Sequence, residues 1–371
     1  MRKEKLHPMQ DETTTEQMKY YGEYMPQVVT GKEALFDFGL DKNQEERASI
    51  IHNNSLTVSF HEHAIVFPSP REKYIDEYLS SGRPMIAYEG LEASGLCTVF
   101  SGVDYGKVFQ RRPCSLPDLV WNLGMHHTDT TRQKDGKFFV GKWSQDIARA
   151  KKEGKIAIIP TYEYGGVIGN QLDNLDVLYG LGLRCLALTY FHQNLLGGGE
   201  LDPGAHLTDF GIDAVHRMND LGMMVDVCHT NKFTTLEAIE VSERPCVVSH
   251  SLASAVNGFS NFKSDEEIKA LAEKSGIFGV KVGSDQLKKH ENTTINDALD
   301  HMDYVAKLVG VDCVAIGPDT TWEYPHHVQG YRNPSQFINI LRGLVSREYS
   351  DAEIKKIAGE NVVRAMAQIE K

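Results

Sequence analysis

Residues 207–231 read LTDFGIDAVHRMNDLGMMVDVCHTN, and this stretch contains the unit from which the fold is built. Thr208 and Asp209 open it as a helix start, Phe210, Ala214, Met218 and Leu221 recur at spacings of four and three, and Gly222 stops it. The following MMVDV is a short apolar run, of the kind that forms a strand buried on both faces of a parallel sheet. It ends in His229, so a polar side chain arrives where the strand finishes.

The same unit recurs on both sides. Apolar runs begin at Leu56 (LTVSF), Leu96 (LCTVF), Lys155 (KIAIIP), Arg184 (RCLALTY), Gly222 (GMMVDV), Pro245 (PCVVS), Gly276 (GIFGVKV) and Asp312 (DCVAIG). Segments between them, such as SQDIARAKKEG, SDEEIKALAEKSG and INDALDHMDYVAKLVG, carry helical spacing with polar starts and mostly a terminal glycine. Eight strands alternating with helices predict an α/β fold, a (β/α)8 TIM-like barrel, over an open doubly wound sheet. Residues 1–54 are charged and weakly patterned, with a short helix expected through Gln44 to His52; they read as an N-terminal extension packed on a barrel of residues 55–371. Two polar stretches, 105–142 and 320–333, follow the second and eighth strands and are candidate walls of a binding site.

Composition narrows the function classes. The chain has 371 residues, 41% hydrophobic and 24% charged, with a formal net charge of -12. That charge gives no general attraction to nucleic acid or anionic lipid. The first 25 residues lack the apolar core of a signal peptide, and no run approaches the ~20 apolar residues of a membrane span. A cytoplasmic protein is the expectation. The six cysteines, among them Cys228, form no CxxC pair and read as small buried hydrophobes; strand alternation would turn Cys228 away from its neighbour His229.

The chemistry lies at the strand ends. SFHEHAIVFP places His61 and His63 two apart on an extended segment, facing one way. KIAIIPTYEYGG delivers Glu163, CVVSHSLAS delivers His250, and CVAIGPDTTW delivers Asp319. Each residue alone has a plain structural use, as a loop contact or a helix cap. Together, four histidines and two carboxylates at the C-terminal ends of five strands would meet at the mouth of a barrel. Imidazole and carboxylate suit zinc or a similar divalent ion. A carboxylate bridging two ions, with a hydroxide between them, would attack an amide, and Asp319 would move the proton to the departing nitrogen. The paired histidines His126–His127 and His326–His327 read as loop residues, and LLGGGELDPG as a flexible loop without phosphate-binding spacing.

The segments SQDIARAKKEGKIAIIPTYEYGG, LTDFGIDAVHRMNDLGMMVDVCHTN, RPCVVSHSLAS, CVAIGPDTT and YSDAEIKKIAGENVVRAM resemble the membrane dipeptidase family (renal dipeptidase, peptidase M19) of the amidohydrolase superfamily, from about Gln44 onward. The resemblance implies that His61 is a ligand of the first ion, Glu163 the bridge, His229 and His250 ligands of the second ion, and Asp319 the acid/base group. It implies two divalent ions, zinc being the natural choice, a dipeptide-like substrate, and a homodimer, which family members often form. The chain also departs from the pattern. His63 stands where the family has aspartate. Leu188-Thr189-Tyr190 stands where the family has a substrate-contacting histidine, so Tyr190 or His192 is expected in that place. The family's arginine for a free carboxylate falls near Ser260 and Asn261, with Lys263 as a weaker stand-in. The expectation is a zinc-dependent amidohydrolase with a specialised substrate; a lactone or ester hydrolase, a lyase, or a metal-binding protein without catalysis are the alternatives.

Overall fold

The computed structural model describes residues 34–66, 87–103, 115–133, 136–288, 292–322 and 328–370, with short pieces at 25–26, 68–69, 73–74, 76 and 85–86. The eight apolar runs become eight strands: β1 Val58–Val66, β2 Thr98–Gly102, β3 Ile156–Tyr162, β4 Cys185–Ala187, β5 Met224–Asp226, β6 Val247–Ser251, β7 Ile277–Val280 and β8 Val314–Ile316. They pair in chain order, each neighbouring pair parallel. The ring closes through the backbone after β8. Asp319 N–H donates to His61 O, and His63 N–H to Thr320 O, each at 3.0 Å. The fold is a (β/α)8 TIM-like barrel.

Helices form where start and stop chemistry frames the apolar spacing. In Asp209–Leu221 the Thr208 hydroxyl accepts from Gly211 N–H, and Gly222 ends the helix at φ 77°. Ala214, Val215 and Met218 of that helix pack against outward residues such as Val225. The inward residues, among them Val58, Phe60, Phe100, Ile159, Met224 and Val247, form a separate interior cluster. Val362, Ala365 and Met366 of helix Asn361–Ile369 join it and seal the end opposite the strand C-termini.

Around the barrel, helix Lys42–Asn54 extends the expected short helix by a few residues and docks on the C-terminal part: Arg47 pairs with Asp351 at 2.7 Å, and Arg342 with Glu45. The part of the N-terminal extension before residue 34 lies outside the described residues, apart from 25–26. The polar stretch after β2 differs from expectation. Part of it is a 16-residue helix, Leu116–Thr131, capped by Ser115 and Asp118. His126 is buried in it and His127 Nε2 lies 2.9 Å from Leu181 O, so neither is a loop residue. His326 and His327 lie outside the described residues. Among those described, no helix is long and apolar enough to cross a membrane.

Candidate metal centre

Two strands bend their side chains into the mouth by the same device. Along β1 the partners in β2 run Ser59↔Val99 and then Glu62↔Ser101, three residues against two. Along β6 the partners in β7 run Val248↔Phe278 and then Ser251↔Val280, again three against two. An extra residue reverses the alternation. Phe60 can therefore point into the barrel core while His61 and His63 also face inward, and Val247 and His250 share a face. The bulge at Ser249 needs space, since a Cβ on Gly279 or on Gly317 would lie 1.9 Å from Ser249 O. Glycine at both positions admits it.

Glu163, at the end of β3, is the centre of the cluster and almost wholly buried. Its Oε1 lies 3.1 Å from His61 Nε2 and 3.1 Å from His63 Nε2. Its Oε2 lies 3.2 Å from His229 Nε2 and 3.9 Å from His250 Nε2. One carboxylate thus faces two histidine pairs, one with each oxygen. Asp319 Oδ1 lies 3.7 Å from His61 Nε2 and 3.5 Å from His63 Nε2, while its Oδ2 meets Lys281 Nζ at 2.6 Å. Asp319 sits at φ 56°, a left-handed conformation that aspartate tolerates better than most residues.

The donor set fits divalent cations. His61 Nε2, Glu163 Oε1 and His229 Nδ1 are buried without hydrogen-bond partners, which in a native interior calls for an explanation. His250 Nε2 lies 3.0 Å from His229 Nε2, so the two rings cannot both be charged without strong repulsion. Burial and His61 hold the His250 imidazole well below its ordinary value. Burial opposes charge on His229 too, but Cys228, Glu163 and Glu200 raise it. Burial also opposes ionisation of Glu163, yet His61 and His63 hold its carboxyl well below the carboxylate range. Ligand atoms of His61, Glu163 and His250, of His61, His63 and Asp319, and of Cys228, His229 and His250 lie within 4.8 Å of one another in each trio. Such clusters can hold metal ions.

Other residues support this cluster from behind, and sequence reading missed them. Glu62 points away from the mouth; its Oε2 accepts from Thr320 N–H and Thr320 Oγ1–H, both at 2.8 Å, and its Oε1 from Ser59 and Tyr331 hydroxyls. It clamps the histidine strand to the residue after Asp319. Burial pushes the Glu62 carboxyl up to about 8, against the pull of Thr320. Glu200 comes from the segment taken for a flexible loop. There Leu196–Gly199 is buried, and a Cβ on Gly199 would meet Phe191 O at 2.5 Å, so the glycines permit close packing. Glu200 Oε2 lies 3.5 Å from His229 Nδ1. The one available signal was a carboxylate directly after three glycines behind a strand.

The mouth opens into a cleft lined in part by Tyr190, Phe191, Cys228, Phe262, Lys281 and Gln286. Tyr190 packs against His229 with ring centres 4.5 Å apart. His192 does not join it. The chain turns outward after Phe191, leaving the His192 side chain 74% exposed beside Asp202. Lys263 is also displaced from its expected place: it is buried, with Nζ donating to Thr230 O and Thr235 Oγ1 at 2.7 Å each. Lys281 is instead the one lysine or arginine among the described residues lining the cleft. Cys228 departs from the alternation argument because β5 ends at Asp226, and the turn beyond it brings both Cys228 and His229 to the cleft.

A closed barrel with a buried histidine and carboxylate cluster at its C-terminal mouth defines the architectural class. Within it, the profile of the membrane dipeptidase family (peptidase family M19) matches residues 124–371. The chain belongs to that family, a family of metallo-hydrolases. It is 29% identical over 231 residues to the dipeptidase tcpJ of Claviceps purpurea, covering 61% of this chain, and 28% identical over 269 residues to an uncharacterized dipeptidase of Schizosaccharomyces pombe, covering 68% of this chain. These matches span 54% and 64% of the relatives' own lengths. Among solved structures, an amidohydrolase from Pseudomonas aeruginosa superposes with TM-score 0.73 at 24% identity, over 87% of this chain and 98% of that one. A metallo peptidase from Rhodobacter sphaeroides, liganded with a phosphinate mimic of the dipeptide L-Ala-D-Ala, gives TM-score 0.72 at 18% identity, over 84% of this chain and 98% of that one.

Proposed function

We propose that this chain is a binuclear metal-dependent hydrolase that cleaves an amide bond in a dipeptide-like small molecule, with a substrate more specialised than general dipeptides. The observation that carries this reading is the placement of Glu163, with Oε1 between His61 and His63 and Oε2 toward His229 and His250. His61, His63 and Glu163 would hold one ion, and Glu163, His229 and His250 the other. Bound divalent ions supply Lewis acidity toward the carbonyl and lower the pKa of water.

The chain's own residues do the rest. Asp319 is held by Lys281 through one oxygen and turns the other toward His61 and His63, where it takes the proton of the attacking water and gives it to the departing nitrogen. Burial alone would raise the Asp319 carboxyl, but Lys281 and His250 hold it well below its ordinary value, which keeps it ionised. Tyr190, Phe191 and Phe262 line the cleft with aromatic rings against which an apolar substituent would pack. Without an arginine fork in the described lining, a free carboxylate would be met by Lys281, which already serves Asp319; this favours a restricted substrate range.

The test is hydrolysis of matched amide and ester substrates by purified protein before and after a chelator. Amide cleavage should disappear on chelation and return with zinc. Full activity in metal-free protein would contradict it, and cleavage of esters alone would redirect it to ester or lactone hydrolysis.

A further inference from the structure

On the assumption that the cluster is a metal centre, we infer that Cys228 is a thiolate ligand of the ion held by His229 and His250, so that this position takes zinc or a similarly thiophilic divalent ion. The ligand atoms of Cys228, His229 and His250 all lie within 4.8 Å of one another, and all three residues are buried. Zinc bonds to sulfur at about 2.3 Å and to imidazole at about 2.1 Å, so donors at tetrahedral angles on one ion stand about 3.6 Å apart. The three donors, within 4.8 Å of one another, would draw together around the ion.

Local structure explains how the sulfur gets there. Asp226 ends β5, and its Oδ1 accepts from Cys228 N–H and from Ser249 N–H, each at 3.0 Å. One carboxylate therefore ties the turn carrying Cys228 and His229 to the bulge carrying His250. Ser249 Oγ lies 2.9 Å from His250 Nδ1 and fixes that ring with Nε2 toward His229. His229 has a side chain nine-tenths buried, with Nδ1 3.5 Å from Glu200 Oε2 and Nε2 turned toward His250. The other cysteines behave differently. Cys97 Sγ donates to Thr57 O and Cys246 Sγ to Ala238 O, as small buried hydrophobes do, whereas Cys228 is the cysteine that lines the cleft among the described residues.

Ligation would exchange the S–H bond for a sulfur–metal bond, with the proton released to solvent. Soft sulfur in the donor set favours zinc over magnesium or manganese. The histidines and carboxylates on the other side of Glu163 impose no such preference.

Zinc-edge X-ray absorption on fully loaded wild-type protein tests this directly. The expected spectrum contains a sulfur shell at about 2.3 Å beside the nitrogen and oxygen shell. Cys228→Ser should remove the sulfur shell, weaken zinc binding at one position at least tenfold in chelator competition, and narrow the preference for zinc over manganese. Alkylation followed by peptide mass analysis gives a second readout needing no variant: zinc should protect Cys228. A nitrogen and oxygen shell alone in wild-type protein, with alkylation indifferent to zinc, would overturn the inference and leave the metal-centre reading standing. Failure of the wild-type protein to bind any divalent ion would overturn both.

Discussion

The two sides of Glu163 are built differently. On the Oε1 side, His61 and His63 come from one nine-residue strand, backed by the Glu62 clamp to Thr320 and faced by an Asp319 already paired with Lys281. On the Oε2 side, His229 and His250 come from two elements, a turn and a bulge, linked through Asp226 and accompanied by Cys228 and Glu200. The first side takes both imidazoles from one strand, whose bulge turns them to the mouth. The second is an assembly of turns that opens on the aromatic cleft. In the proposed function this contrast would separate proton transfer, on the first side, from ion selection and substrate contact, on the second.

The largest expected effect joins the two sides. Glu163→Gln removes the shared charge, so amide hydrolysis should fall to background and bound metal should drop, as read by assay and metal analysis; a variant retaining both would break the comparison at its centre. Next comes Asp319→Asn, which should lower kcat by about 10²- to 10⁴-fold with metal content unchanged. Loss of metal in that variant would instead make Asp319 a ligand.

Supporting groups should separate the sides further. Glu62→Leu leaves the Thr320 N–H and hydroxyl without their acceptor, and should cost about 1–3 kcal/mol in denaturant unfolding, with a fall in kcat and little change in ion affinity. Glu200→Gln should do the reverse, weakening ion binding about 10- to 100-fold through the lost support of His229. Equal effects of the two variants on kcat and on ion affinity would collapse the distinction.

The smallest effect lies away from the mouth. Burial pushes His126 down to about 3, while an unfolded histidine titrates near 6.5. Between those values the unfolded chain binds a proton that the folded chain does not, so stability should decline as pH falls below about 6.5. At pH 5 the cost is up to about 2 kcal/mol, and His126→Asn should flatten that part of the profile in denaturant unfolding.

The barrel was legible because strands buried on both faces leave unbroken apolar runs such as KIAIIP and MMVDV, with helix caps written plainly between them. Glu163, His229, His250 and Asp319 were legible because parallel strands deliver their C-terminal residues to one mouth. What stayed hidden depends on register and on distant partners. Glu62 looked like a spacer between two histidines because its partner Thr320 is 258 residues away. Cys228 was turned the wrong way by applying alternation past Asp226, where the strand ends. Lys281 sat inside an apolar run, and only the pairing of β7 with β8 sets it beside Asp319. His192 was expected inward because nothing in YFHQN announces the outward turn after Phe191.

The central claim is that Glu163 joins two ion positions, and metal stoichiometry tests it most directly. Protein loaded with zinc and freed of loosely held metal should retain about two equivalents per chain, and Glu163→Gln about one or fewer. A wild-type value near zero, or about one that Glu163→Gln leaves unchanged, would contradict it.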